Sequence, residues 1–474
     1  MTIQEIFVLI AASLTLGFIF RQTKWVNLLM VASIIFIYWL QPDTELRYLG
    51  FWLPSISIAV MVVSWIFTTS PEIRNQPKQF ITLIIIFGVL LVLSSLRVLD
   101  PGRAWGFVTM PRLISSLSYV LIAFSFLILL TRNKKALPSA GLWGVFSALI
   151  LIFLVLKTPA LAQKASQAWR ALAGQSQSLA TSSELSWLGF SYLAFRILHT
   201  IRDRQAGRLP DIDLNEYIAY LVLFPAFVAG PIARAEQFVA SLRDFSGSFS
   251  DDLTAGSRRI LIGLFKKFVL ADSLSLIALN AHNALQPTSP MGGWILLYAF
   301  SLQIYFDFSG YTDIAIGLAR FLNIQLPENF NQPYLKPNLT QFWSNWHMTL
   351  TNWFRAYFFN PISRGLRKKK LSVLAILFIT QISTMVLVGL WHGITLNFIF
   401  WGLWHGLGLL IQNRWSGWIN KLLPPSDKKW LQDLRNGAGV LLTFHYVTLG
   451  WIWFALPSPG LAKDFFAILF RAVL

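Results

Sequence analysis

Three of the chain's six histidines, His347, His392 and His405, fall between residues 301 and 406, together with Asp307 and Asp313. The segments around them are otherwise greasy: SLQIYFDFSGYTDIAIG, FWSNWHMTLTNWFRAYFFNP and VGLWHGITLNFIFWGLWHG. Ionisable groups at membrane depth are costly, so they face a bundle interior or a wet cavity and mark a site. An imidazole, with an ordinary pKa of about 6.5, can take a proton from a hydroxyl near neutral pH. His392 lies between Trp391 and Gly393, and the glycine would admit a ligand or another backbone closely. A hydrogen-bonded core histidine is the alternative there. His347 has Asn345 and Asn352 nearby, whose amides could steady developing negative charge. It can act as second base, orienting group or oxyanion donor; helix capping or packing is its structural alternative.

The remaining candidates divide by face and neighbour. Gln303, Asp307 and Tyr311 recur every fourth residue and share a helix face provided Gly310 does not break the helix. Asp307 could orient a histidine or hold a substrate. Asp313 and Arg320, seven apart, also share a face and form a candidate structural ion pair. His405 lies thirteen residues after His392, about 220° around a continuous helix, and should face away from it as a structural or lining residue. His199, His282 and His445 are isolated and read as structural. Three histidines without HExxH or a carboxylate set do not point to a metal site. No GxSxG elbow accompanies the serines and threonines near His347, so a direct reaction between two bound substrates is simpler than a covalent enzyme intermediate.

Hydrophobic residues make up 55% of the 474, charged residues only 13%. Mean hydropathy is +0.57, and apolar runs of about 18 or more residues recur, each able to cross a bilayer core as a helix. The short alternating segments of a β-barrel are absent. The net charge of +18 sits in short loops between apolar runs, the pattern of cytoplasmic loops, so nucleic acid is not the expected partner. The absence of cysteine excludes disulfides, thiolate metal sites and a cysteine nucleophile. MTIQEIFVLI lacks a basic leader and carries Glu5, which fits an uncleaved first helix.

Candidate spans cover 3–20, 25–40, 49–68, 80–96, 113–131 and 141–156, then 185–201, 214–230, 294–322, 371–390, 395–411 and 440–456. Loop charges at Arg21 and Lys24, Arg74 and Lys78, Arg132, Lys134 and Lys135, and Arg202, Arg204 and Arg208 place those loops in the cytoplasm and the N-terminus outside. Arg97, Arg103 and Arg112 oppose this bias. Residues 158–184 read as a polar extracytoplasmic loop, a short surface helix with a flexible tail. A soluble-looking loop precedes a helix near 258–280 that carries Arg258, Arg259, Lys266 and Lys267. Residues 331–370, broken by Pro333, Pro337 and Pro361 and ending in Arg364, Arg367, Lys368, Lys369 and Lys370, read as re-entrant or interfacial. An amphipathic tail, 463–474, closes the chain. The expected organisation is N-terminal transmembrane helices over 1–157, the polar loop, and a core over 185–474.

The pieces FPAFVAGPIAR, YFDFSGYTDIAIGLARFLNI, NFNQPYLKPNLTQFWSNWHMTLTNWFRAYFFNPI and GLWHGITLNFIFWGLWHG together resemble the membrane-bound O-acyltransferase family. They are most similar to its bacterial branch of alginate O-acetylases and teichoic-acid D-alanyl transferases. The resemblance implies an all-α polytopic membrane protein, with roughly a dozen helices in a ring around a central tunnel. It implies acyl transfer from a thioester to a hydroxyl, with the WHG histidine, here His392, catalytic and His347 as the second motif histidine. Asp307, Tyr311, Asn345, Asn352, Trp346 and Trp391 become candidates for contact with substrate. Where the family often has basic residues before Trp-His, this chain has Ser344 and Asn345, so contacts with the donor would differ there.

The implied donor is an acyl-CoA or acyl-carrier thioester from the cytoplasm, with no permanently bound cofactor. The implied acceptor is a polysaccharide or lipid-linked sugar, with acetyl the expected group and an extracytoplasmic acyltransferase as a further partner. The expected location is the inner or plasma membrane, spanned several times. Arg258, Arg259, Lys266, Lys267 and the 364–370 run could hold donor phosphates, against ordinary anchoring at the membrane face. A transporter or flippase is the competing class, but its paired broken helices are missing from the N-terminal half. A non-catalytic scaffold of a polysaccharide-export complex is the third, and it would tolerate loss of both histidines.

Overall fold

The computed structural model describes residues 2–23, 26–99, 139–244, 248–422 and 428–471, with 111, 125 and 128 isolated between them. The expected span at 113–131 lies outside the described residues apart from 125 and 128, and Lys24, Arg103, Arg112, Arg132, Lys134 and Lys135 lie outside them too. Every regular element among the described residues is helical. Six described helices are long and apolar enough to cross a membrane: Ile3–Thr23, Leu49–Thr68, Pro77–Leu96, Ala140–Lys157, Val373–His392 and Lys429–Ala455. The chain is therefore a multi-pass membrane protein. It divides into two compact units, Met1–Ile260 with Ile314–Pro327, and Leu261–Asp313 with Glu328–Leu474.

In the first unit, Ile3–Thr23 rises about 31 Å at 1.5 Å per residue, a bilayer core's thickness. Glu5 works at its start: Thr2 N–H donates to Glu5 Oε2 at 2.7 Å and Glu5 N–H to Thr2 Oγ1 at 3.2 Å, a reciprocal cap. Val26–Trp39 is apolar but only 14 residues long. The expected helix over 185–201 begins later, as Phe190–Gln205, after Gly189 at φ 71°.

The expected span over 214–230 is not one helix. Leu214–Leu221 ends after eight residues, and a 3₁₀ turn follows at Phe224–Ala226. Pro225, four residues after Leu221, cannot bond that carbonyl and stops the helix. Arg196, buried at 2% exposure, satisfies the freed groups, donating to the carbonyls of Leu221 at 2.8 Å, Ala226 at 3.1 Å and Pro231 at 3.4 Å. Broken backbone at membrane depth persists when protein groups satisfy it. One arginine here holds the whole FPAFVAGP loop. His199 is structural, accepting Ala235 N–H at 3.2 Å on Nε2 with the Tyr220 hydroxyl 3.0 Å from the same atom.

Residues 158–184 contain the expected short helix. Pro159–Leu172 is an amphipathic helix, and Arg170, 3% exposed, closes the loop onto it. Its guanidinium reaches Glu184 at 2.6 Å and Glu45 at 3.2 Å, while Trp169 Nε1 donates to the Arg47 carbonyl at 3.1 Å. The expected Asp313–Arg320 pair does not form. Arg320 meets Asp252 at 3.3 Å, and Asp252 also takes Arg21 at 2.5 Å. One carboxylate between two guanidiniums outcompetes the along-helix partner.

The second unit contains the residues from Leu261 to Asp313 and everything from Glu328 onward. Pro290–Phe321 runs 32 residues without interruption, so Gly310 does not break it and Gln303, Asp307 and Tyr311 do share a face. Gly310 instead allows close packing: a Cβ there would lie 2.8 Å from the Gly263 carbonyl oxygen and 3.0 Å from the Lys266 Cβ. That approach, beside the π-helical turn Phe265–Ala271, brings Lys266 Nζ to Asp313 at 2.7 Å and Lys267 Nζ into a short contact with Asp307.

Residues 331–370 form no single helix. A 3₁₀ turn Pro333–Leu335 leads to the short helices Leu339–Asn345 and Met348–Phe354, the π turn Arg355–Phe359, and Asn360–Lys368. Val373–His392 and Leu396–Leu422 follow as a tight helical hairpin. Cβ atoms at Gly389 and Gly402 would fall 2.1 Å from the Phe398 carbonyl oxygen and 2.6 Å from that of Met385, so only glycine permits this crossing. Lys429–Ala455 is longer than the expected 440–456, and Pro459–Leu469 is the amphipathic tail.

Candidate functional site

The second unit gathers the two leading histidines around one indole. His392 is the last residue of its helix, because Gly393 turns extended at φ −177° and the next helix starts only at Leu396. Trp391 stands with its ring centroid 4.5 Å from that of His392 and 6.1 Å from that of His347. His392 is packed further by Phe454 at 4.8 Å, Phe398 at 5.7 Å and Trp401 at 5.7 Å. Gly393 serves this packing: the space a Cβ would take is filled by the Phe398 ring, 2.8 Å away. The glycine admits an aromatic side chain where a ligand or backbone was expected.

His347 occupies the join between Leu339–Asn345 and Met348–Phe354 with a left-handed backbone, φ 42° and ψ 53°. A non-glycine residue in that region costs roughly 1–2 kcal/mol and persists only where surroundings enforce it. Asn329 does the enforcing. It is fully buried, its carbonyl accepts Met348 N–H at 2.8 Å, and its side-chain Oδ1 lies 3.0 Å from His347 Nδ1. Phe308 packs edge-on against the imidazole at 4.7 Å. Asn329 escaped the sequence reading because it lies 18 residues from His347 in a segment without regular structure. The pair Asn-Phe just before the proline-broken stretch was its only local signal.

Other sequence candidates fall in different places. Trp346 is 5% exposed and sits in an aromatic box with Trp451 at 5.1 Å, Phe330 at 5.2 Å and Tyr334 at 5.7 Å. Asn345 Nδ2 donates to the Gln341 carbonyl at 2.7 Å within its own helix, and Asn352 lies on an exposed face of Met348–Phe354. Neither amide is thereby drawn toward His347. Tyr311 is buried at 7% exposure on the face shared with Asp307, whose carboxylate pairs with Lys267 and orients no histidine. With Lys266 and Lys267 engaged by Asp313 and Asp307, those cations are held inside the unit. His405 is fully buried among Trp401 at 4.8 Å and Trp343 at 5.1 Å. The break at Gly393 removes the continuous helix on which its expected angle to His392 depended. His445 Nε2 lies 2.8 Å from the Tyr298 hydroxyl, a structural contact.

The same unit holds a cavity of about 250 Å³ whose lining includes none of His347, Trp391, His392 and His405. Leu350, Phe354, Leu377, Met385 and Val388 give it apolar walls, and Arg355, Gln381 and Asn413 stand with three threonines among its polar groups. Val388 stands one helical turn before His392 and Leu350 three residues after His347, so both histidine-bearing segments contribute to its wall.

Residues 141–448 match the model of MBOAT, the membrane-bound O-acyltransferase family. Among curated proteins, the chain is 29% identical over 276 residues to the teichoic acid D-alanyltransferase of Bacillus subtilis, covering 57% of this chain and 69% of that one. It is 32% identical over 290 residues to the probable alginate O-acetylase AlgI of Pseudomonas syringae, covering 60% and 51%. It is 33% identical over 241 residues to the peptidoglycan O-acetyltransferase of Helicobacter pylori, covering 50% and 43%. The chain thus spans about half the length of the last two relatives. With the family pattern running through both histidine motifs and well over half of its length, the chain belongs to the membrane-bound O-acyltransferase family.

Proposed function

We propose that this protein transfers an acyl group, acetyl in the simplest case, from a thioester to a hydroxyl of an exported or lipid-linked glycan. The observation that carries the reading is the Trp391 ring flanked by the imidazoles of His347 and His392 inside one unit of a family member. Relatives named for acylation of alginate, teichoic acid and peptidoglycan support a glycan acceptor.

In the reaction, His392 takes the proton of the acceptor hydroxyl as its oxygen attacks the thioester carbonyl. The tetrahedral intermediate collapses, the carbon–sulfur bond breaks, and the imidazolium returns the proton to the leaving thiolate. The products are an ester and a free thiol. His347 assists by hydrogen bonding at the reacting centre. The 250 Å³ cavity suits the donor's arm: its apolar walls exclude water, Gln381 and Asn413 match amides, and Arg355 matches a phosphate. Acyl-CoA and an acyl carrier protein share that chemistry. A ring of helices around a tunnel would let a cytoplasmic donor meet an acceptor arriving from the opposite face, with the N-terminus and the 158–184 loop outside. An extracytoplasmic acyltransferase is a further proposed partner.

The test is expression of wild type, His392→Ala and His347→Ala in a host lacking the native gene, with ester-linked acyl groups measured on its surface glycans. Loss of ester at normal protein level is expected for His392→Ala. Unchanged ester in both variants would move the protein to the transporter or scaffold class.

A further inference from the structure

We infer that Asn329 is a positioning residue that fixes the tautomer of His347, placing the proton on Nδ1 and the lone pair on Nε2. The argument starts from an atom whose role is unambiguous. Thr349 N–H lies 3.2 Å from Asn329 Oδ1, and a backbone N–H can only donate. The side-chain atom it meets must therefore be the amide oxygen, which settles the orientation of an amide otherwise open to reversal. The Thr349 hydroxyl donates to the same oxygen at 2.9 Å. His347 Nδ1, 3.0 Å from that oxygen, must in turn present N–H. A neutral imidazole protonated on Nδ1 carries its lone pair on Nε2.

The backbone completes the device. The Asn329 carbonyl accepts Met348 N–H at 2.8 Å, so both ends of the asparagine grip residues 347–349. The ring cannot turn over without breaking the bond at Oδ1, and the left-handed φ of 42° at His347 keeps its side chain against Asn329. A second group that holds a histidine's far nitrogen normally fixes ring orientation and tautomer together. Here the holder is a neutral amide where many sites use a carboxylate. It orients the ring through an oxygen acceptor and presents Nε2 as an acceptor, which suits a group that hydrogen-bonds at the reacting centre. The catalytic half of this inference rests on the acyl-transfer reading; the tautomer does not.

The experiment compares wild type, Asn329→Asp, Asn329→Leu and His347→Gln as purified full-length protein in micelles. Side-chain ¹⁵N spectra of histidine-labelled protein report the tautomer, with the His347 signal identified by its disappearance in His347→Gln. Transfer kinetics are measured on the same samples. Wild type should show a single Nδ1–H tautomer. Asn329→Leu should lose it, with kcat down by about 10–100-fold and KM nearly unchanged, and Asn329→Asp should restore the tautomer and most of kcat. An Nε2–H tautomer in wild type, or a wild-type His347 signal in Asn329→Leu, overturns the inference. Wild-type transfer by His347→Gln would overturn the catalytic use of His347 instead, and the spectra would still decide the tautomer.

Discussion

The His347 and Trp391 rings stand 6.1 Å apart at an interplanar angle of 64°, although 44 residues separate them in sequence. The indole thus belongs to two motifs at once, adjacent to His392 by covalent sequence and to His347 by folding. Replacing Trp391 should disturb both imidazoles. Trp391→Leu is expected to lower acyl transfer by about tenfold or more while the protein remains folded, since it removes an aromatic partner worth about 0.5–1.5 kcal/mol beyond its buried area. Trp391→Phe should retain a larger share. Transfer kinetics with a melting curve for each variant check this, and wild-type kcat in Trp391→Leu would refute it.

The Lys266–Asp313 pair offers a test of architecture. Its carboxylate is 8% exposed and its ammonium 25%, so removing one partner leaves a mostly buried charge. Asp313→Ala should destabilise the protein toward the lower end of the roughly 3–5 kcal/mol typical of a broken buried pair. Lys266→Ala in the same chain should recover part of the loss. Thermal unfolding in detergent measures the coupling.

The hairpin of Val373–His392 and Leu396–Leu422 should tolerate nothing larger than glycine at its crossing. Gly389→Val would drive side-chain atoms into the Phe398 carbonyl, which lies 2.1 Å from the Cβ position. The expected outcome is loss of folded protein, whereas Gly437→Ala, where a Cβ would meet nothing within 4 Å, should be neutral. Fluorescence-detected size-exclusion profiles separate the two.

The polar 158–184 segment predicts a pH dependence. Hydrogen bonds from Arg170 hold the Glu184 carboxyl below the usual carboxylate range, with the Ser166 hydroxyl adding to the effect. A depressed folded-state pKa means the unfolded chain takes up the proton first as the solution is acidified. The Glu184 contribution is therefore complete above the ordinary carboxylate pKa and is lost as pH falls through the lower folded value. Melting temperatures of wild type and Glu184→Gln should differ at neutral pH and converge in acid. A difference that stayed constant across the acid range would contradict the linkage.

The amino-acid sequence determined by itself the properties that depend on composition and period. Long apolar runs with few charges can satisfy their backbone only as helices in lipid, which is why Ile3–Thr23, Leu49–Thr68 and Val373–His392 lie close to where periodicity placed them. His347 and His392 stood out because ionisable groups are rare in such surroundings. Tertiary structure decided everything that depends on partners distant in sequence. Arg196 satisfies the carbonyls left open where Pro225 stops the 214–230 run, a partner 25 or more residues away in sequence, and Arg320 meets Asp252 in place of Asp313. Asn329 meets His347 only after the chain turns through an irregular segment, where no helical or strand period announces which side chains will touch. Local pattern reports how a segment satisfies its own backbone. Which polar side chain satisfies another is a property of packing, and packing is set by the whole fold.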